Sequence, residues 1–100
     1  MAKRVFLATR DLLFRAKLGG VVAAAGAQVW REEGMSDLVV LDLADPAALG
    51  RIGDLVQRGV AVLAYGAHVQ LDVLRAARAA GATAVPNSEV ERRLRELLNA

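Results

Sequence analysis

Residues 37–46 read DLVVLDLADP, and this stretch decides the fold. An unbroken apolar run from Leu38 to Leu41 delivers Asp42 to what reads as a strand end, and Pro46 follows four residues later. A strand with one wet face alternates apolar and polar residues. A strand without alternation is buried on both faces, as in a parallel sheet covered by helices. Two roles are open to Asp42: chemistry at a strand end, or the polar terminus of a buried strand.

Downstream, Asp45-Pro46 predicts a helix start, with Asp45 as N-cap and proline at the first helical position. That helix runs through AALGRIGDLVQR to Gly59. VAVLAY (60–65) reads as a strand. HVQLDVLRAARAAG follows as a helix, with Leu71, Leu74 and Ala77 on one side, Arg75 and Arg78 on another, and Gly81 as its stop. TAV (83–85) is a minimal last strand. Ser88 and Glu91 stand at capping-box spacing and open the final helix.

Upstream, RVFLAT (4–9) is a first strand. Asp11 caps a helix that ends at Gly26. Gly19 and Gly20 lie inside it, each costing about 1 kcal/mol relative to alanine. They imply either a kink or a close approach to the sheet. AQVW (27–30) is a short second strand. Only six residues, REEGMS, separate Trp30 from Asp37. A parallel crossover takes about a dozen residues and is usually helical. Either an extended segment makes this crossing, or the second strand lies elsewhere. Strand–helix alternation over residues 1–100 predicts one α/β domain with a mostly parallel five-stranded sheet, helices on both faces, no repeat and no linker.

The bulk composition narrows function. The chain is 55% hydrophobic, with twenty alanines and four aromatic residues, which suits close helix-on-sheet packing. No apolar run approaches a membrane span, and the N-terminal run is too short for a signal peptide. The expectation is a cytoplasmic protein. There is no cysteine, and the single histidine, His68, cannot build a histidine metal site. Net charge is +2, and Arg92, Arg93 and Arg95 alternate with Glu89, Glu91 and Glu96 as a solvated face. No glycine-rich phosphate cradle follows the first strand, and no nucleic-acid motif is present.

DLVVLDLADP resembles the third strand of response-regulator receiver domains, which ends in a phosphorylatable aspartate with a proline four residues on. RVFLATRD is similar to the receiver first strand, and LRAARAAGATAV to the receiver fourth helix and its approach to the fifth strand. The resemblance spans nearly the whole chain. It implies a flavodoxin-like three-layer α/β/α sandwich of order 2-1-3-4-5, with the family's second helix missing or very short.

The departures bear on function. Where receivers carry the acidic pair that holds Mg²⁺, this chain has Thr9 and Arg10. Ala64 and Tyr65 stand where receivers have a hydroxyl residue, and Asn87 or Ser88 where they have a lysine. No lysine follows Lys17. The resemblance therefore implies a degenerate receiver, with Asp42 a vestigial phospho-acceptor and no cofactor. The expected function is a non-enzymatic, stand-alone signalling or protein-interaction module. Its partner is a protein or a second copy, without nucleic acid or membrane. The α/β edge rule gathers Thr9, Arg10, Asp42, Tyr65, Gly66, His68, Asn87 and Ser88 at the strand ends. One alternative is a small enzyme or ligand-binding protein using Asp42, Arg10 and His68, with a small-molecule ligand. Another is an atypical phospho-acceptor. Arg10 and Asp42 either form an ion pair in the place of the metal, or Asp42 caps its own turn and Arg10 faces solvent. For pairing, the resemblance points to a face bearing Arg75, Arg78, Glu91, Arg92 and Arg95.

Overall fold

A computed structural model describes residues 2–99. Five strands form one parallel sheet: β1 (Arg4–Ala8), β2 (Gln28–Val29), β3 (Leu38–Asp42), β4 (Ala61–Gly66) and β5 (Thr83–Pro86). Their order is β2-β1-β3-β4-β5, as the resemblance implies. Three helices connect strands, α1 (Leu12–Ala24), α2 (Ala48–Gln57) and α3 (Leu71–Ala79), and a fourth, α4 (Val90–Leu98), follows β5.

The two faces of β3 explain its unbroken apolar run. Successive side chains of a strand point to opposite faces. Val39 and Leu41 pack with Ile52 and Leu55 of α2 and Leu74 and Ala77 of α3. Leu38 and Val40 pack with Leu18, Val21 and Val22 of α1 and Val90, Leu94 and Leu98 of α4. These four β3 side chains are buried, so none can be polar at low cost.

The crossover from β2 to β3 is the extended alternative. The chain passes through a single 3₁₀ turn, Glu33–Met35, where a helix would lie in a full receiver. Side chains hold this connector. The Arg4 amide donates to Asp37 Oδ2 at 2.7 Å, and the Asp37 amide donates to the Arg4 carbonyl at 2.8 Å. The Ser36 hydroxyl donates to the Glu32 carbonyl at 2.6 Å. Arg51 of α2 pairs with Glu33 and, at 3.2 Å, with Asp45. The absent helix leaves Phe6 and Ala8 of β1 only partly buried on the α2–α3 face.

These carboxylates predict an acid response. The Arg4 amide, then the Arg4 guanidinium and Lys3, hold Asp37 below its ordinary value against an opposing desolvation. The Ala47 amide, then Arg51 and Arg10, do the same for Asp45. A carboxyl depressed in the folded state stabilises it above the unfolded value of about 3.9, and that stabilisation is lost as pH falls through the lower folded value. Asp37 is 45% exposed, so solvent screens its share. Trp30 is the sole tryptophan, and the Arg4 guanidinium lies 5.4 Å from its ring centroid. The urea midpoint followed by Trp30 fluorescence should be flat from pH 7 to 5 and decline below about pH 4. Asp37→Asn should flatten part of that acid limb; an unchanged limb would exclude Asp37 as a cause.

Four local expectations need correction. α2 begins two residues after Pro46. Asp45 instead closes a turn, its Oδ1 accepting from the Ala47 amide at 2.9 Å, and Ala47 takes the N-cap position. The Ser88–Glu91 box does not form. A 3₁₀ turn, Asn87–Glu89, precedes α4, and Glu91 pairs with Lys17 at 3.2 Å. Leu71, the first residue of α3, is 57% exposed rather than packed with Leu74 and Ala77. Gly19 and Gly20 serve no close approach: a Cβ at either would meet nothing within 4 Å. Asp11 caps α1 as expected, accepting from the Phe14 amide at 3.0 Å. The chain leaves α1, α2 and α3 through Gly26, Gly59 and Gly81, all with positive φ.

Candidate functional site at the strand ends

Asp42 terminates β3 beside Tyr65 of β4 and is half-buried. Its Oδ1 accepts from the Ala44 amide at 2.9 Å, so the side chain caps its own turn. Among the described residues Asp42 enters no ion pair, and the Arg10–Asp42 pair does not form. Arg10 lies two residues past the end of β1, and its side chain is exposed. Its charge is felt at Asp45 instead.

Two clefts open on either side of Asp42. The first, about 550 Å³, has an apolar floor including Phe6, Ala8 and Pro46, and charged walls of Arg10, Arg15, Arg51, Asp42 and Asp45. Thr9 also lines it and is 8% exposed. The missing helix uncovers its floor. The second, about 590 Å³, is lined by Asp11, Phe14, Asp42, Ala44, Tyr65, Asn87 and Ser88. Of the residues expected at this edge, Thr9, Arg10, Asp42, Tyr65, Asn87 and Ser88 line one cleft or the other. His68 lines neither and is exposed, which separates it from Asp42 as an acid–base partner. Gly66 lies under Leu43, whose Cβ would be 3.3 Å from a side chain at that position.

Tyr65 is the polar anomaly of the site. It is 2% exposed, its ring meets Phe14 edge-on at 4.8 Å between centroids, and its hydroxyl is buried without a hydrogen-bond partner. Burial pushes the hydroxyl up to about 12. The neighbouring Thr9 hydroxyl pulls the other way without reaching hydrogen-bond geometry, and the charges of Asp42 and Asp11 add to the rise.

Sequence reasoning missed Arg51, Asp45, Arg15, Asp11 and Phe14 as cleft residues. Asp45 and Arg51 stand six apart across a helix start, which is a readable signal for a local pair. Nothing in the sequence marks Glu33 as the third member.

The charged face expected for pairing is largely satisfied within the chain. Arg78 donates twice to the Ala84 carbonyl, at 3.1 and 2.8 Å. Arg92 pairs with Glu89 and Glu96, and Glu91 with Lys17. Arg75 and Arg95 enter no ion pair among the described residues.

The class follows from this geometry: a parallel sheet of order 2-1-3-4-5 with an aspartate at the end of its third strand is the receiver fold. Solved receiver structures match it over nearly the whole chain. The chain is similar to a response regulator from Thermotoga maritima, at 14% identity over 100% of each chain with a TM-score of 0.80. It is similar to a response regulator receiver protein from Pseudoalteromonas atlantica, at 12% identity over 93% of this chain and 91% of that one, TM-score 0.75. A response regulator protein from Burkholderia multivorans matches at 24% identity over 98% and 93%, TM-score 0.71. No protein-family model matches the sequence, and no curated protein does.

The residues present do not fit the Mg²⁺ that a receiver would hold. Mg²⁺ takes carboxylate and water oxygens in near-octahedral array. On the resemblance, Thr9 and exposed Arg10 stand where a receiver has its acidic pair, and in the structure Asp11 and Asp42 each use one oxygen to cap a backbone amide.

Proposed function

We propose that this chain is a receiver-like signalling module that acts by docking to a protein, with the phosphorylation machinery lost. The observation that carries this reading is an exposed apolar rim at the strand-end edge. Leu12 and Leu13 are 77% and 82% exposed, Val69 75%, and Leu49 and Leu71 are also exposed. Four of the five lie in the first turns of α1, α2 and α3, and Val69 lies two residues before α3. Large aliphatics scattered singly need no explanation, but a gathering at one edge marks a contact surface. The partner is a protein or a second copy of the chain. Three arginines beside Asp42, and no lysine after Lys17, support the loss of phosphoryl chemistry, which depends on metal and well-placed cations. Among the described residues no helix is long and apolar enough to cross a membrane.

The test is an amide NMR titration with Mg²⁺ and beryllofluoride on wild type and Asp42→Asn. The expected result is no saturable shift in either protein up to millimolar Mg²⁺. Saturable shifts around Asp42, absent from the variant, would make this chain a working phospho-acceptor and overturn the reading.

A further inference from the structure

The cleft on the Tyr65 side has a character of its own. Its charged lining is two carboxylates, Asp11 and Asp42, with no cation; Arg10, Arg15 and Arg51 line the other cleft, which Asp42 shares. Each carboxylate is fixed through one oxygen, Asp11 Oδ1 to the Phe14 amide and Asp42 Oδ1 to the Ala44 amide. Among the described residues, the second oxygen of each accepts no hydrogen bond and enters no ion pair. The backbone thus orients two aspartates that enter no ion pair among the described residues.

A second, independent observation points the same way. Tyr65 lines this cleft, is 2% exposed, and carries a buried hydroxyl with no partner. Buried polar groups are nearly always satisfied, so an orphan at the base of a cleft asks for a ligand group. Asn87 and Ser88 add polar groups on the β5 side.

We propose that the cleft between the β1–α1 turn and the β5–α4 turn binds an ammonium or guanidinium cation, held by the free oxygens of Asp11 and Asp42 and by the Tyr65 hydroxyl. An ammonium carries three donors and no acceptor, which matches two carboxylate oxygens and one hydroxyl oxygen. Such bonds are charge-assisted and stronger than neutral ones. Because the hydroxyl is buried, its engagement requires the Phe14 ring, which meets Tyr65 edge-on and lines the cleft, to move aside, and Phe14 offers apolar surface to an aliphatic stem. Mg²⁺ is the poorer occupant, because it sheds its waters reluctantly and a hydrated ion is too bulky to reach the buried Tyr65 hydroxyl. The cation is either a free amine or a basic side chain of a partner seated on the apolar rim.

The experiment is an amide NMR titration of the whole chain with n-butylammonium, with the peptide acetyl-Leu-Lys-Leu-amide, and with Mg²⁺ alone. With n-butylammonium the amides of residues 9–14, 42–44 and 87–88 should shift saturably, with a dissociation constant on the order of 1–10 mM. Asp42→Asn and Asp11→Asn keep a carbonyl oxygen for the cap and should each weaken binding at least fivefold. Tyr65→Phe should weaken it about threefold. Peptide binding tenfold tighter than the amine assigns the cation to a partner side chain; equal or weaker binding assigns it to a free amine. No saturation below about 50 mM amine, affinity unchanged in both aspartate variants, or the same shifts at lower Mg²⁺ would each overturn the proposal. The beryllofluoride titration uses a different ligand, so failure there leaves this cleft untouched, and the reverse holds.

Discussion

Arg10→Asp should raise the affinity of the chain for Mg²⁺ about tenfold or more. Asp42 already stands at the end of β3, and Arg10 lines the same cleft. In wild type a guanidinium opposes any divalent ion brought to that carboxylate. At ~6 Å in water a pair of unit charges interacts by about 0.7 kcal/mol. Exchanging +1 for −1 against a divalent ion is then worth about 3 kcal/mol unscreened. A Debye length of about 10 Å at 0.1 M salt trims this by roughly half, leaving about tenfold in affinity. Arg10 is exposed and makes no ion pair among the described residues, so its replacement should leave the fold intact. Adding Thr9→Asp supplies a second ligand and should strengthen the effect, although Thr9 is 8% exposed and the new carboxylate must shed water. The check is a Mg²⁺ titration followed by the amides of residues 8–11 and 42–45. Equal affinity in Arg10→Asp and wild type would mean that Arg10 does not block the metal.

How far the sequence carried this picture depends on the range of the interactions involved. The topology was legible because it rests on local signals. Leu38–Leu41 lack alternation since both faces of β3 are covered, and Gly26, Gly59 and Gly81 mark helix ends through their own backbone angles. Thr9, Arg10, Asp42, Tyr65, Asn87 and Ser88 could be gathered at one edge because strand ends converge there whatever the side chains do. His68 failed for the complementary reason: it lies two residues beyond β4, and its direction is set by the turn rather than by the strand. The division into an arginine-lined cleft and a carboxylate-lined one was not readable. It depends on which side of Asp42 each side chain leaves the backbone. Glu33 is eighteen residues from Arg51, and only the folded connector brings them together. Leu71 was grouped with buried Leu74 and Ala77 because helical periodicity assigns a face to each residue but does not say how far along the helix that face is covered.

Tyr65→Phe should stabilise the chain, against the usual sense of such a substitution. A buried tyrosine that is hydrogen-bonded loses stability when its hydroxyl is removed. Here the hydroxyl is buried and unpartnered, so wild type carries the desolvation cost with nothing in return. Mutational data put that cost at about 1–3 kcal/mol. The phenylalanine ring keeps the edge-on contact with Phe14 and the place among Val40, Leu63 and Val90. Removal of one oxygen leaves a small void, which offsets part of the gain. A net stabilisation of about 1 kcal/mol is expected, equivalent to a rise in Tm of about 4–8 °C for a domain of this size. Urea unfolding followed by Trp30 fluorescence measures it directly, since Trp30 lies beyond β2, away from the substitution. A loss of stability instead would mean that Thr9 or a water satisfies the hydroxyl in solution, and would remove Tyr65 from the cation site. A gain would identify the hydroxyl as a group kept at a cost to folding. The fold would then not need the hydroxyl, and a role as ligand to a cation, beside two carboxylates that enter no ion pair among the described residues, would account for it.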